Sequence, residues 1–144
     1  MKLSEARAKV SGLPEGFPAR TKKWNDVSET FTIEKAALMV GEQRGEDGQV
    51  LISPKTQKPY LEYQVALALV LKSGERISVR TNSPRLVPLF RGELTEDREP
   101  DATNNFGRRI YKVEPPEGTL RFVPFRYAYK NDLKADVADL EEVE

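Results

Sequence analysis

The stretch YLEYQVALALVLKSGERISVRT, residues 60–81, decides the fold. Leu61, Tyr63, Val65, Leu67, Leu69 and Leu71 occupy alternate positions, the period of a strand with one apolar face. Ser73-Gly74 supplies a tight turn, because glycine reaches positive φ without a Cβ clash. Ile77 and Val79 then continue an apolar face, while Arg76, Ser78 and Arg80 alternate onto the other. The stretch therefore reads as a β-hairpin, and a hairpin this apolar needs further elements to cover it. Ala66, Ala68 and Val70 make its even-numbered side nearly apolar as well. Three covers are open for that side: the N-terminal leader, a second subunit, or the bases of a ligand.

Upstream, Phe31 and Ile33 alternate with Thr30, Thr32 and Glu34, which predicts a strand. Residues 36–39 have helical propensity, so the segment is either one long strand with a bulge near residues 35–37 or a strand ending in a helical turn. Gly41, Gly45 and Gly48 mark a hairpin tip and form no GxxxxGK[ST] phosphate loop. Val50, Leu51 and Ile52 suggest a short strand, followed by the polar loop SPKTQKP. Downstream, Ser83-Pro84 has the pattern of an N-cap and first helical residue, with Leu86, Val87, Leu89 and Phe90 toward the core. Pro88 limits this helix to a short one. Residues 92–107 read as an exposed loop, and RRIYKV (108–113) and TLRFVPFRYAY (119–129) as strands. Pro124 lacks a ladder donor and places its strand at an edge or a bulge. Segments long enough for βαβ crossovers are missing, so the fold class is all-β with a short helix, an antiparallel barrel or sandwich. The expected organisation is a leader or arm over residues 1–26, with a short helix capped by Ser4, a β-domain over 27–129, and an acidic tail over 130–144.

With 144 residues the chain suits one domain with tails. Cysteine and histidine are both absent. Disulfides and thiolate metal sites are thereby excluded, and the usual base near neutral pH is missing. The chain is accordingly read as a non-enzyme without metal or cofactor. No apolar run matches a membrane span and the N-terminus lacks a signal-peptide core, so a cytoplasmic protein with no membrane partner is expected. The zero net charge is segregated: residues 130–144 carry two lysines against six acids, a net of −4, which leaves +4 on residues 1–129.

Cations and rings accompany each other along the expected strands. Lys22 and Lys23 precede Trp24, Lys58 and Tyr60 border the hairpin, and Arg76 and Arg80 share one strand face. Arg108, Arg109, Tyr111 and Lys112 form a dense cluster, with Arg126 and Tyr127 beyond. Single-stranded nucleic acid needs cations along its phosphates and flat rings beneath its bases, and both are present. Each residue also has a plainer role: tyrosines and phenylalanines fill small cores, arginines solvate strand faces, and Trp24 can lid the core. Glu93, Glu96, Asp97, Glu99 and Asp101 crowd one loop, where interleaved Arg91, Arg98 and Pro100 point to solvation rather than a metal site. Leu133, Val137 and Leu140 give the tail a helical stripe suited to folding on a partner.

The layout resembles the OB-fold single-stranded DNA-binding proteins, in particular the divergent ones encoded by bacteriophages. The resemblance rests on FTIEKAALMVG (31–41), GEDGQ (45–49), YQVALALVL (63–71), KSGE (72–75), RISVRTNSPR (76–85) and the ending DVADLEEVE (136–144). It implies a five-stranded OB-like barrel with a flexible acidic tail. It further implies binding of single-stranded DNA without sequence preference, in replication, recombination or repair. The tail would recruit replication or recombination proteins, a homo-oligomer is a possible state, and the compartment would be the bacterial host cytoplasm for a phage-encoded chain. On this reading Lys22, Lys23, Arg76, Arg80, Arg108, Arg109 and Lys112 meet phosphates, Trp24, Tyr60, Tyr111 and Tyr127 stack on bases, and Arg126 belongs to the same binding surface. The competing expectation is a protein–protein or virion-assembly module on a small β-barrel.

Overall fold

The computed structural model describes residues 2–3, 12–92, 94–95, 97–104 and 106–144. Strand β1 (Phe31–Glu42) runs antiparallel to β2 (Leu61–Leu71) along its whole length, from Phe31 opposite Leu71 to Glu42 opposite Leu61. The chain turns through Gly74, at φ +91°, into β3 (Arg76–Thr81), so the hairpin forms as its alternation dictates. Helix α1 (Val87–Arg91) follows, then β4 (Ala102–Thr103), β5 (Arg109–Val113), β6 (Leu120–Ala128) and β7 (Lys134–Glu142). The strand ladders are all antiparallel, in the order β3-β2-β1-β5-β4. β6 joins β1 where Phe31 faces Leu120, and pairs with β7 over its length.

The bend in β1 explains this branching. Its register against β2 slips between Ile33 and Lys35, leaving Glu34 as the extra residue of a bulge. Before the bulge β1 borders β6; after it, Ala36 to Val40 pair with β5. Residues 36–39 stay in the strand because pairing on both sides outweighs their helical propensity. One face then buries Phe31, Leu38, Val65, Leu67, Leu69, Ile77, Val79, Leu86 and Phe90 in a single core. Ser83 starts the helical segment as its pattern implies: its Oγ accepts from the Arg85 N–H at 3.2 Å. Leu89 departs from expectation and is 58% exposed, since the short turn presents Leu86 and Phe90, with Val87 beside them, toward the core.

Two expectations about the sheet are corrected. Among the described residues it has seven strands rather than five, and its hydrogen-bonded path does not close into a barrel. The outer edge of β3, which closure would use, is occupied at Ser78 by the leader. The Ser78 N–H donates to the Arg20 carbonyl at 2.8 Å and the Lys22 N–H donates to the Ser78 carbonyl at 3.1 Å. Residues 92–107 are also not wholly a loop, because Ala102 and Thr103 pair with β5.

The flexible acidic tail is a further correction. Residues 134–142 form β7, laddered to β6 from Lys134 opposite Ala128 to Glu142 opposite Leu120. Adjacent Val137 and Ala138 are both buried, one on each face of the strand, which a helical stripe would not permit. The acids that suggested disorder lie opposite cations: Asp136 with Arg126 at 3.3 Å, Asp139 with Arg85 at 3.2 Å and Glu141 with Arg121 at 2.8 Å. The Ser83 hydroxyl also donates to the Ala138 carbonyl at 2.5 Å. A chain ending at Tyr129 is therefore expected to lose roughly 3–5 kcal/mol of stability, as the apolar surface covered by Val137, Ala138 and Leu140 meets water. Urea denaturation measures this, and an unchanged midpoint would show that β7 is dispensable.

The leader is the remaining structural element that matters for the site. The helix expected over residues 4–10, with its Ser4 cap, lies outside the described residues. Residues 12–22 cross the second face of the sheet. There Leu13 and Phe17 are buried with Ala37, Met39, Ala66, Ala68 and Ile110. The leader is thus the cover that the even-numbered face of β2 required. The alanines leave a shallow trough, so the leader backbone can lie close to the sheet. Its ends are tied by the Asn104 amide donating to the Gly12 carbonyl at 3.0 Å and the Ser78 hydroxyl donating to the Pro18 carbonyl at 2.6 Å. No described helix is long and apolar enough to cross a membrane.

Candidate nucleic-acid interface

The leader delivers its basic cluster to the edge of β3. Thr21, Lys22, Lys23, Asp26 and Arg80 line one open concavity of about 570 Å³. Pairing of residues 20–22 with Ser78 fixes Lys22 and Lys23 beside the strand that carries Arg80. Neither lysine has an ion pair among the described residues, so Asp26 is the one acid against three cations in this lining. Trp24 opens a short 3-10 turn, Trp24–Asp26, where it is half-buried against the main core. That packing gives it the role of a lid.

Arg80 leads from the concavity along the sheet. Its guanidinium donates to the Gln64 Oε1 at 2.8 Å. Burial, and then the charge of neighbouring Arg108, lower its pKa from the ordinary arginine value. Arg108 lies 3.5 Å from Glu62, and its stem crosses Gly41. Gly41, Glu62 and Gln64 are ladder neighbours on β1 and β2, with Gly41 opposite Glu62 and Met39 opposite Gln64. Tyr60 stands two residues before Glu62 and is 45% exposed. Lys22, Lys23, Arg80, Arg108 and Tyr60 therefore follow one another around the end of the face that lies beyond the cover of Leu13 and Phe17.

The other expected site residues are elsewhere. Tyr111 is 7% exposed and part of the main core, which corrects its assignment as a stacking platform. Arg109, its neighbour on β5, is exposed opposite Val40, whereas Lys112 is exposed opposite Ala37 on the leader-covered face. Arg76 shares the β3 face of Arg80 but pairs with Glu34 at 3.4 Å. Arg126 and Tyr127 belong to the β6–β7 ribbon, where Arg126 faces Asp136 and Tyr127 packs edge-on against Tyr129 at 4.8 Å. Lys58 is exposed near the tip of the long β1–β2 connection.

The acidic loop has a structural employment in its described part. The Asp101 carboxylate accepts from the Lys112 backbone N–H at 2.7 Å and from Arg98 at 2.9 Å. The Lys112 hydrogen bond first, and the Arg98 charge with it, hold its pKa below the usual carboxylate value. Glu93 and Glu96 lie outside the described residues. Among the described residues no group of three acids is placed to hold a metal ion.

Sequence reasoning missed Gly41, Glu62 and Gln64. A signal existed: on the even side of β2, Glu62 and Gln64 are polar where Ala66 and Ala68 are small and apolar. That change marks where the cover by Leu13 and Phe17 over Ala66 and Ala68 ends. No protein-family model matches the chain, and neither the curated proteins nor the solved structures yielded a match.

Proposed function

We propose that the protein binds single-stranded DNA without sequence preference, as a non-enzymatic component of replication, recombination or repair. The observation that carries this reading is the convergence of Lys22, Lys23 and Arg80 on one open concavity, from segments far apart in the chain. Cations gathered along a groove suit the phosphates of a flexible single strand whose bases need only stacking. The β1–β2–β3 meander, a short helix and the return of β5 beside β1 support an opened, OB-like arrangement. A phage-encoded protein of this kind would act in the cytoplasm of its bacterial host.

Titrating an unstructured oligonucleotide at low salt, with Trp24 fluorescence or oligonucleotide anisotropy as readout, tests the proposal. Binding at micromolar protein or below is expected, falling steeply as salt rises because phosphate neutralisation releases counterions. Absence of binding under those conditions overturns it. One observation favours a second reading, a protein-interaction or virion-assembly module: Leu51, Ile52, Tyr60 and Leu61 are all exposed at the long β1–β2 connection.

A further inference from the structure

We propose that Arg80 and Arg108 form a two-guanidinium site for a phosphate group, with Gly41 as its floor and Glu62 as the carboxylate that the phosphate displaces. The source of the phosphate, a DNA backbone, rests on the reading above; the site itself does not.

Four observations carry it. Arg80 reaches Gln64 from β3 at 2.8 Å, and Arg108 reaches Glu62 from the β5 side at 3.5 Å. Both guanidinium groups thus approach the same end of β2, beyond the cover that residues 13–17 give to Ala66 and Ala68. The Nη1 of Arg108 is buried and has no acceptor among the described residues. A buried guanidinium N–H without an acceptor carries a desolvation cost that an anion removes. Glu62 satisfies Arg108 only loosely, since the pair is 3.5 Å long and the carboxylate is about half exposed. It occupies the place of an anion without closing on it. Finally, burial and then the Arg108 charge weigh on the Arg80 guanidinium, so an anion between the two would relieve both. A phosphate offers several acceptor oxygens and a negative charge, and arginine forks suit it better than any other side chain.

Gly41 is the residue that makes the geometry possible. A Cβ built at this position would come within 3.1 Å of the Arg108 Cγ and 3.5 Å of its Nε. The Arg108 stem therefore lies directly on the β1 backbone, and its head is aimed across β2 toward Arg80. Gly41 is a positioning residue in this scheme. Glycine is otherwise a poor choice within a strand, and valine is a favoured one.

The test uses inorganic phosphate as the probe, at constant ionic strength against chloride, with the arginine Nε–H signals read by two-dimensional NMR. Phosphate is expected to shift the Arg80 and Arg108 signals together in the wild-type chain. Gly41→Val is expected to keep or raise the melting temperature while abolishing the paired shift. Should the valine variant fail to fold, Arg108→Gln is read at the remaining Arg80 signal, whose phosphate-induced shift is expected to be lost. Glu62→Gln is expected to tighten phosphate binding about two- to five-fold, the range of an exposed ion pair removed from competition. No paired shift in the wild type overturns the proposal, even if the protein binds an oligonucleotide. An unchanged shift in Gly41→Val or Arg108→Gln also overturns it, as does unaltered affinity in Glu62→Gln. A paired shift without oligonucleotide binding upholds the site and assigns it to free phosphate or a nucleotide, so that only the single-strand reading falls.

Discussion

Replacing Lys22, Lys23 and Arg80 together with glutamine is expected to weaken binding of an unstructured single-stranded oligonucleotide about 500-fold at about 50 mM salt. The size follows from counterion release. Each phosphate neutralised on a single strand contributes about −0.7 to the slope of log K against log salt, which is roughly an eight-fold gain per cation at that salt. Removing three such cations multiplies to about 500-fold, and the slope should become shallower by about two. These side chains line an open concavity, so their loss leaves both cores intact. The paired variant Arg121→Gln with Arg126→Gln is the control. It removes two cations that face Glu141 and Asp136 on the β6–β7 ribbon and do not line the concavity. Less than about a three-fold change is expected, because exposed ion pairs hold little free energy and their cations are already partnered. Equal losses in both variants would mean that binding follows total charge rather than the concavity, and the proposed site would be wrong.

The central hairpin was legible because its alternation is long and its turn carries a glycine; both signals are local and agree. The β1 bulge was only half legible: the change of preference left a bulge near residues 35–37 or a helical turn open, and the bulge forms at Glu34. β7 was not legible. Its acids resemble a solvated tail, and Leu133, Val137 and Leu140 happen to fit a helical period. What places Val137 and Ala138 on opposite faces is the ladder to β6 and the Ser83 hydrogen bond, both supplied by distant chain. Tyr111 illustrates the same difficulty at the site. RRIYKV is a strand by any local measure, yet sequence cannot say which of its faces turns inward. Ile110 lies under the leader while Tyr111 enters the main core, so both faces are covered and no platform remains. The partnership of Lys22 and Lys23 with Arg80 depends on a leader without periodicity. Only the apolar even side of β2 betrayed that something had to lie there.

Phe17→Ala is expected to cost roughly 3–5 kcal/mol of stability, the loss typical of a buried phenylalanine. The side chain is 6% exposed and sits with Leu13 over Ala37, Met39, Ala66, Ala68 and Ile110. Those neighbours are mostly small and belong to a paired sheet, so they cannot collapse into the space left behind. Ser78→Ala is the contrasting variant. It removes the hydroxyl's hydrogen bond to the Pro18 carbonyl but leaves the backbone pairing of residues 20–22, and about 1 kcal/mol is expected. Because the leader also carries Lys22 and Lys23, Phe17→Ala should weaken oligonucleotide binding well below its unfolding temperature. Ser78→Ala should not, since the backbone bonds still fix both lysines beside Arg80. Chemical denaturation and the same fluorescence titration read the two effects separately. Wild-type stability in Phe17→Ala would mean that the leader does not close this face in solution. The trough of Ala66 and Ala68 would then be open to the bases of a bound strand, and Leu13→Ala should leave oligonucleotide binding unimpaired.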